Sequence, residues 1–312
     1  PLTNGAVYLR EPGSRAESDT IGNGSPVQDL LGGMYVVSRV ASDAPGLGNP
    51  GRKSELLYQY RGARMQAGGR GMLGFREVRT IDANFDPGTG GALNHIVSIT
   101  EYGLAANDPE TGVVRHGFPY IGMPRESRQY RVSGAVPSSL RNCLVSGPEQ
   151  TSGYCFNAGG LAANPNAFFD EPSGTLLSYA RNRLAHAVTV TGIAGERSVF
   201  PYIQASFEVK GDPEGTGIAS LSETVSLFNY QTAWGDLANS EVSTASGTSY
   251  SGLAALRTEA LARVVAQTTD ARCPATRCVT RVSTVNTWLP SSQPTAANDR
   301  DYWRLGRLGR ST

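Results

Sequence analysis

SELLYQYRGARMQAGGRGMLGFREVRTID, residues 54–82, decides how the rest of the chain is read. An apolar run of Leu56, Leu57, Tyr58 and Tyr60 gives way to Gly68, Gly69 and Gly71, and apolar residues resume at Leu73, Phe75, Val78 and Ile81. Aromatic and β-branched side chains suit a pleated, half-buried surface, and clustered glycines supply the positive φ angles that a tight reversal needs. The stretch is therefore expected to be a β-hairpin: strand, glycine turn, strand.

Gly69-Arg70-Gly71-Met72-Leu73-Gly74 also fits G-x-G-x-x-G, the dinucleotide fingerprint. That motif works only where a helix starts after the glycines and turns its N-terminal N–H groups on a pyrophosphate. Phe75 to Ile81 instead continues at strand spacing, so neither a nucleotide nor any other cofactor is expected.

The composition agrees with a turn-rich β protein. Of 312 residues, 37 are Gly and 18 are Pro, and the net charge is only +1. So small a charge removes the electrostatic case for nucleic acid or an anionic membrane as partner. Lys53 and Lys210 are the only lysines, and the arginines are scattered. No run of 18 apolar residues could span a bilayer as a helix. The chain begins at Pro1 and ends in RLGRLGRST, so it is expected to be a piece of a longer polypeptide.

Residues 1–33 read as a loop-rich N-terminal segment with a short strand around Ala6 to Leu9, and 34–312 as a β-sheet region opening with a strand at Met34 to Val40. Beyond the hairpin, Ile96 to Thr100, Thr175 to Tyr179 and His186 to Thr191 carry strand patterns. Turn chemistry recurs at Asp86-Pro87-Gly88, Asp108-Pro109-Glu110 and Asp212-Pro213-Glu214, where Pro presets one φ and a following Gly supplies another. Phe118-Pro119-Tyr120-Ile121 is repeated as Phe200-Pro201-Tyr202-Ile203, and a Pro within an apolar run points to an edge or bent strand. The stretch 134–174 reads as a loop or insertion. One interval is helical: over about 252–267, Leu253, Leu256, Ala260, Leu261, Val264 and Val265 share a face, with Glu259 and Arg263 at i,i+4.

Chemistry-bearing motifs are sparse. His95, His116 and His186 lie in or beside β runs without paired ligand spacing, and read as surface or sheet residues. Asp82, Asn84 and Asp86 begin like a calcium loop, but Pro87 stands where the sharp turn needs Gly and Leu93 where a bidentate Glu belongs. Carboxylate pairs such as Asp299 and Asp301 sit at turns. No metal and no catalytic residue is assigned, and the chain is not expected to be an enzyme. The four cysteines fall as local pairs, Cys143 with Cys155 and Cys273 with Cys278, spaced less like a zinc site than like local disulfides of an exported protein, with buried free thiols as the other reading.

Tyr58-Gln59-Tyr60-Arg61-Gly62 followed by Gly69-Arg70-Gly71-Met72-Leu73-Gly74-Phe75 resembles a signature of the YD-repeat (Rhs) toxin proteins, which include the B component of insecticidal toxin complexes. The segments around Phe118-Pro119-Tyr120 and Phe200-Pro201-Tyr202 are similar to family segments, and Trp234-Gly235-Asp236 resembles the second half of a degenerate YD unit. The resemblance implies an all-β fold in which long antiparallel hairpins form a curved sheet strip, with one amphipathic helix, as part of a hollow shell around a toxic C-terminal polypeptide. It further implies a secreted bacterial protein whose partners are the remainder of the same polypeptide, including its cargo, and other toxin-complex subunits. The rival expectation is an extracellular adhesin or carbohydrate-binding β protein, with Trp234, Trp288 and Trp303 stacking on sugars.

Overall fold

The computed structural model describes residues 7–9, 27–30, 34–43, 53–66, 71–83, 94–103, 120–137, 140–141, 144, 169–191, 197–211, 220–230, 237–246, 250–288 and 308–311. They form an all-β protein with two helices, divided into two units: Pro1–Tyr179 with Gly211–Ile218, and Ala180–Lys210 with Ala219–Thr312.

In the first unit, β4 (Lys53–Gln66) and β5 (Gly71–Asp82) pair antiparallel from Leu56 opposite Asp82 to Gln66 opposite Gly71. This is the expected hairpin, and Gly71 and Gly74 lie within its second strand, so no helix follows the glycines. Both have positive φ, 72° and 101°. Arg64 faces Gly74 while Met65 faces Met72, so Leu73 is the extra residue of a β-bulge, and its side chain is buried. Gly62, the glycine of Tyr-x-Tyr-x-Gly, also takes a positive φ, 63°.

β6 (Asn94–Tyr102) and β7 (Pro124–Ser133) continue the antiparallel order. The turn sequences at Asp86 and Asp108 lie outside the described residues, but each falls between two strands that pair. Three short strands tile the other edge of β4: β1 (Tyr8–Leu9), β2 (Val27–Asp29) and β3 (Arg39–Asp43). Such short strands blunt an edge that would otherwise template further pairing. The strand expected from Met34 begins only at Arg39. Met34 and Val36 instead pack on the cluster around Tyr8 and Ala63, which draws them out of ladder geometry.

The second unit holds most of β8 (Thr175–Thr191), which crosses the boundary at Tyr179, then β9 (Arg197–Gly211), β10 (Ser220–Tyr230), β11 (Leu237–Ser246), β12 (Cys278–Trp288) and β13 (Leu308–Ser311), neighbours in that order. β9 has a neighbour on both sides, so of the two expectations for Pro201, an edge or a bent strand, the edge one does not hold. Between β11 and β12 the chain forms α1 (Leu253–Val265) and the single turn α2 (Thr269–Arg272). Helix α1 matches the sequence pattern with one exchange: Leu256, Ala260 and Val264 are buried, but so is Arg263, whereas Leu261 is exposed. No helix among the described residues is long and apolar enough to cross a membrane.

Candidate functional site

The registers of β4 to β7 stack side chains into three adjacent rows across the sheet. Leu57, Ile81, Val97 and Tyr130 face one another in the first row, Gln59, Arg79, Ile99 and Arg128 in the second, and Arg61, Glu77, Glu101 and Glu126 in the third. The first row is a buried apolar core. The third places three glutamates, Glu77, Glu101 and Glu126, side by side, an arrangement that repels unless cations intervene.

The cations come from the neighbouring row. Arg79 Nε donates to Glu77 Oε1 at 2.6 Å, and Arg128 Nη1 donates to Glu101 Oε1 at 2.8 Å and to Glu126 Oε1 at 3.2 Å. Arg128 also stands 3.7 Å from Glu77, and the Tyr179 hydroxyl donates to Glu126 Oε2 at 3.1 Å. Both guanidinium groups then reach into the segment ahead of β8. Arg79 donates to the carbonyls of Phe169 and Asp170 and lies 5.8 Å from the Phe169 ring centroid, while Arg128 forks onto both oxygens of Glu171. Burial would raise the Glu171 pKa, but hydrogen bonds from Arg128 and Tyr130, with the charges of Arg128 and Arg79, hold it below the usual carboxylate value. Nearby, Glu55 is buried between Arg39 and Arg141.

The second unit has its own network, built from the helices. Glu223 of β10 is fully buried and accepts from Tyr250 Oη at 2.7 Å, Arg277 Nη1 at 3.3 Å and Arg263 Nη2 at 3.4 Å. Burial, then the hydrogen bond to Glu223, pushes the Tyr250 hydroxyl well above its usual pKa. Arg263 also pairs with Glu259 at 2.8 Å and donates to the Arg272 carbonyl. Glu241 of β11 takes Arg272 and Arg281, at 3.3 Å and 2.8 Å, and their hydrogen bonds and charges outweigh burial to keep its pKa low.

Carboxylates paired this way accept from guanidinium or phenol donors, and such pairs fasten covering segments to a sheet. His95 is buried in β6 with Nδ1 2.8 Å from the Gly134 carbonyl, and no cluster of metal-ligating side chains occurs among the described residues.

The residues singled out in the sequence gather only in part. Tyr60 packs on Phe75 with ring centroids 4.6 Å apart, Tyr8 meets the same ring at 6.4 Å, and the Tyr60 hydroxyl donates to the Val37 carbonyl. Tyr58 faces Thr80 rather than Phe75. Phe200, Tyr202 and Tyr230 form a second aromatic cluster on β9 and β10, with centroids 4.5 to 5.9 Å apart. The two Phe-Pro-Tyr segments are not equivalent in place, since Tyr202 lies within β9 and Tyr120 in the turn before β7. Cys273 and Cys278 are bonded. Gly69, Arg70, Phe118, Pro119, Cys143, Cys155, Trp234, Gly235 and Asp236 lie outside the described residues, as do Asn84, Asp86 and His116. The charged rows carried no motif in the sequence; their signal was Glu-x-Arg at Glu77 and again at Glu126, two residues apart on strands and so on one face.

In comparison with known proteins, no family model matches the chain and no curated protein matches it.

Proposed function

We propose that the chain is a structural segment of a secreted YD-repeat (Rhs)-type toxin protein, part of a β-shell around a toxic C-terminal cargo, and that it is not an enzyme. The reading starts from the Tyr-x-Tyr-x-Gly and Gly-Arg-Gly-Met-Leu-Gly-Phe residues. The observation that carries it further is that this stretch is a long hairpin from which antiparallel strands continue in sequence order, β4 to β7. A wall needs backbone groups satisfied within the sheet and faces fastened by fixed contacts, and paired Arg and Glu side chains supply the second. The partner is then the rest of the same polypeptide, with other toxin-complex subunits. The bond between Cys273 and Cys278 suits an oxidising compartment outside the cell.

Electron microscopy of the complete natural polypeptide, with limited proteolysis of its C-terminal region, tests the proposal. A hollow β-shell with a C-terminal region shielded from protease supports it. A solid domain, or a C-terminal region cut as fast as a free peptide, overturns it, and glycan binding by such a domain would establish the adhesin reading.

A further inference from the structure

The loop Cys273-Pro274-Ala275-Thr276-Arg277-Cys278 joins the end of α2 to the start of β12, and the disulfide closes it at its two ends. The loop and its flanks carry both arms that tie the helices to the sheet. Arg272, one residue before it, reaches Glu241 on β11 and the Ala266 carbonyl after α1. Arg277, within it, reaches Glu223 on β10 and Glu259 on α1.

The two sulfurs differ in access. Cys273 is 3% exposed, whereas Cys278 is partly exposed and begins a strand whose following residues Val279 to Ser283 are all exposed. A thiolate can therefore reach the Cys278 sulfur while the Cys273 sulfur remains inside. The surroundings also accommodate the reduced pair. Cys273 Sγ lies 3.9 Å from the Thr244 carbonyl and Cys278 Sγ 3.9 Å from the Thr280 carbonyl, so each thiol would have an acceptor. The N–H groups of Arg277 and Cys278 both donate to the Pro274 carbonyl at 2.8 Å, and Cys273 N–H donates to the Thr269 carbonyl at 2.8 Å, so the backbone turn does not depend on the bond.

We infer that Cys273–Cys278 is a reversible redox latch on the helical cover of the second unit, opened by a small dithiol from the Cys278 side. One thiolate of the dithiol attacks the Cys278 sulfur, forming a mixed disulfide and expelling Cys273 as a thiolate that takes a proton from solvent. The second thiolate of the dithiol then attacks the dithiol's first sulfur in that mixed disulfide, closing the reductant to a cyclic disulfide and releasing Cys278 as a thiolate that takes a proton from solvent. Two electrons pass to the protein and the dithiol is oxidised. What changes is the covalent hold between α2 and β12. Arg277 keeps only its non-covalent contacts, and the helices open more often without the sheet unfolding.

The test reduces the full chain with dithiothreitol without denaturant, traps thiols by alkylation and follows amide hydrogen exchange peptide by peptide. The inference requires any trapped mixed disulfide to sit on Cys278, both cysteines to become alkylated without unfolding, and exchange over 253–277 to rise about tenfold or more, with exchange in β4 to β7 unchanged. The double variant Cys273→Ser with Cys278→Ser should reproduce that pattern without reductant, and if it does not fold the wild-type titration still decides. A bond reduced only when the whole protein unfolds, or reduction that leaves exchange over 253–277 unaltered, overturns it.

Discussion

Arg128 holds Glu171 through two parallel hydrogen bonds, Nε to Oε1 at 2.7 Å and Nη2 to Oε2 at 3.1 Å, while the same guanidinium donates to Glu101 and Glu126. One side chain thus both neutralises a row of glutamates and ties the segment before β8 to the sheet. Arg128→Met would keep most of the volume but leave buried carboxylates without their cation, at a cost of about 3–5 kcal/mol. Glu171 is 40% exposed, so Glu171→Gln should cost no more than about 1 kcal/mol. Urea denaturation of both variants checks the order, and equal losses would show that the row does not depend on Arg128.

Acid and alkali should act through different residues. Glu171 and Glu241 have pKa values below the ordinary 4.5, so the unfolded chain binds their protons more tightly. Their contribution is complete above pH 4.5 and is lost as pH falls through the lower folded values. Tyr250 is raised above 10.0, so its contribution is complete below pH 10.0 and is lost as pH rises beyond it. Tyr60 and Tyr202 are raised as well, chiefly by burial, and act in the same direction. Melting temperature against pH should therefore fall at both ends, with Glu171→Gln flattening the acid limb and Tyr250→Phe the alkaline one. Limbs that keep their slopes in the variants would contradict the assignment.

The hairpin was legible because its two signals agree, alternating apolar residues and glycines where the backbone needs positive φ. Helix α1 was legible for a similar reason, a stripe recurring at helical spacing. The charged rows were not. Glu77, Arg79, Glu126 and Arg128 look in sequence like the solvated positions of half-buried strands, yet all four are buried, and Arg79 and Arg128 are held by the segment at Phe169 to Glu171, far off in the chain. Alternation places these four on the same face as Ile81 and Tyr130 but cannot say that charged residues on that face are covered. The same limit hid Arg263, whose partner Glu223 lies 40 residues away.

The exchange on α1 can be measured directly. Leu256 is fully buried, and Leu256→Ala should cost about 2–5 kcal/mol from the lost packing and the cavity left behind. Leu261 is 37% exposed although it sits on the apolar stripe of the sequence, and Leu261→Ala should stay within about 0.5 kcal/mol. Similar losses at the two positions would mean that the helix is rotated from the orientation described.

At Gly71 the backbone and not the surroundings should decide the outcome of substitution. The residue has φ 72°, and a Cβ built there meets nothing within 4 Å. Gly71→Val is therefore free of collisions with neighbours but places a β-branched residue in the left-handed region, at a cost of about 1–2 kcal/mol. Gly71→Asn should cost less, because a short polar side chain tolerates that region. Met72, the next residue, is 45% exposed within the same strand, and Met72→Val should leave stability within about 0.5 kcal/mol. Thermal melts of the three variants separate the causes. A loss confined to the two Gly71 variants and larger for Val places the strain in the backbone. An unchanged melt for Gly71→Val would mean that β5 does not enter its strand through a positive φ, and the pairing of Gln66 with Gly71 would then have to give way.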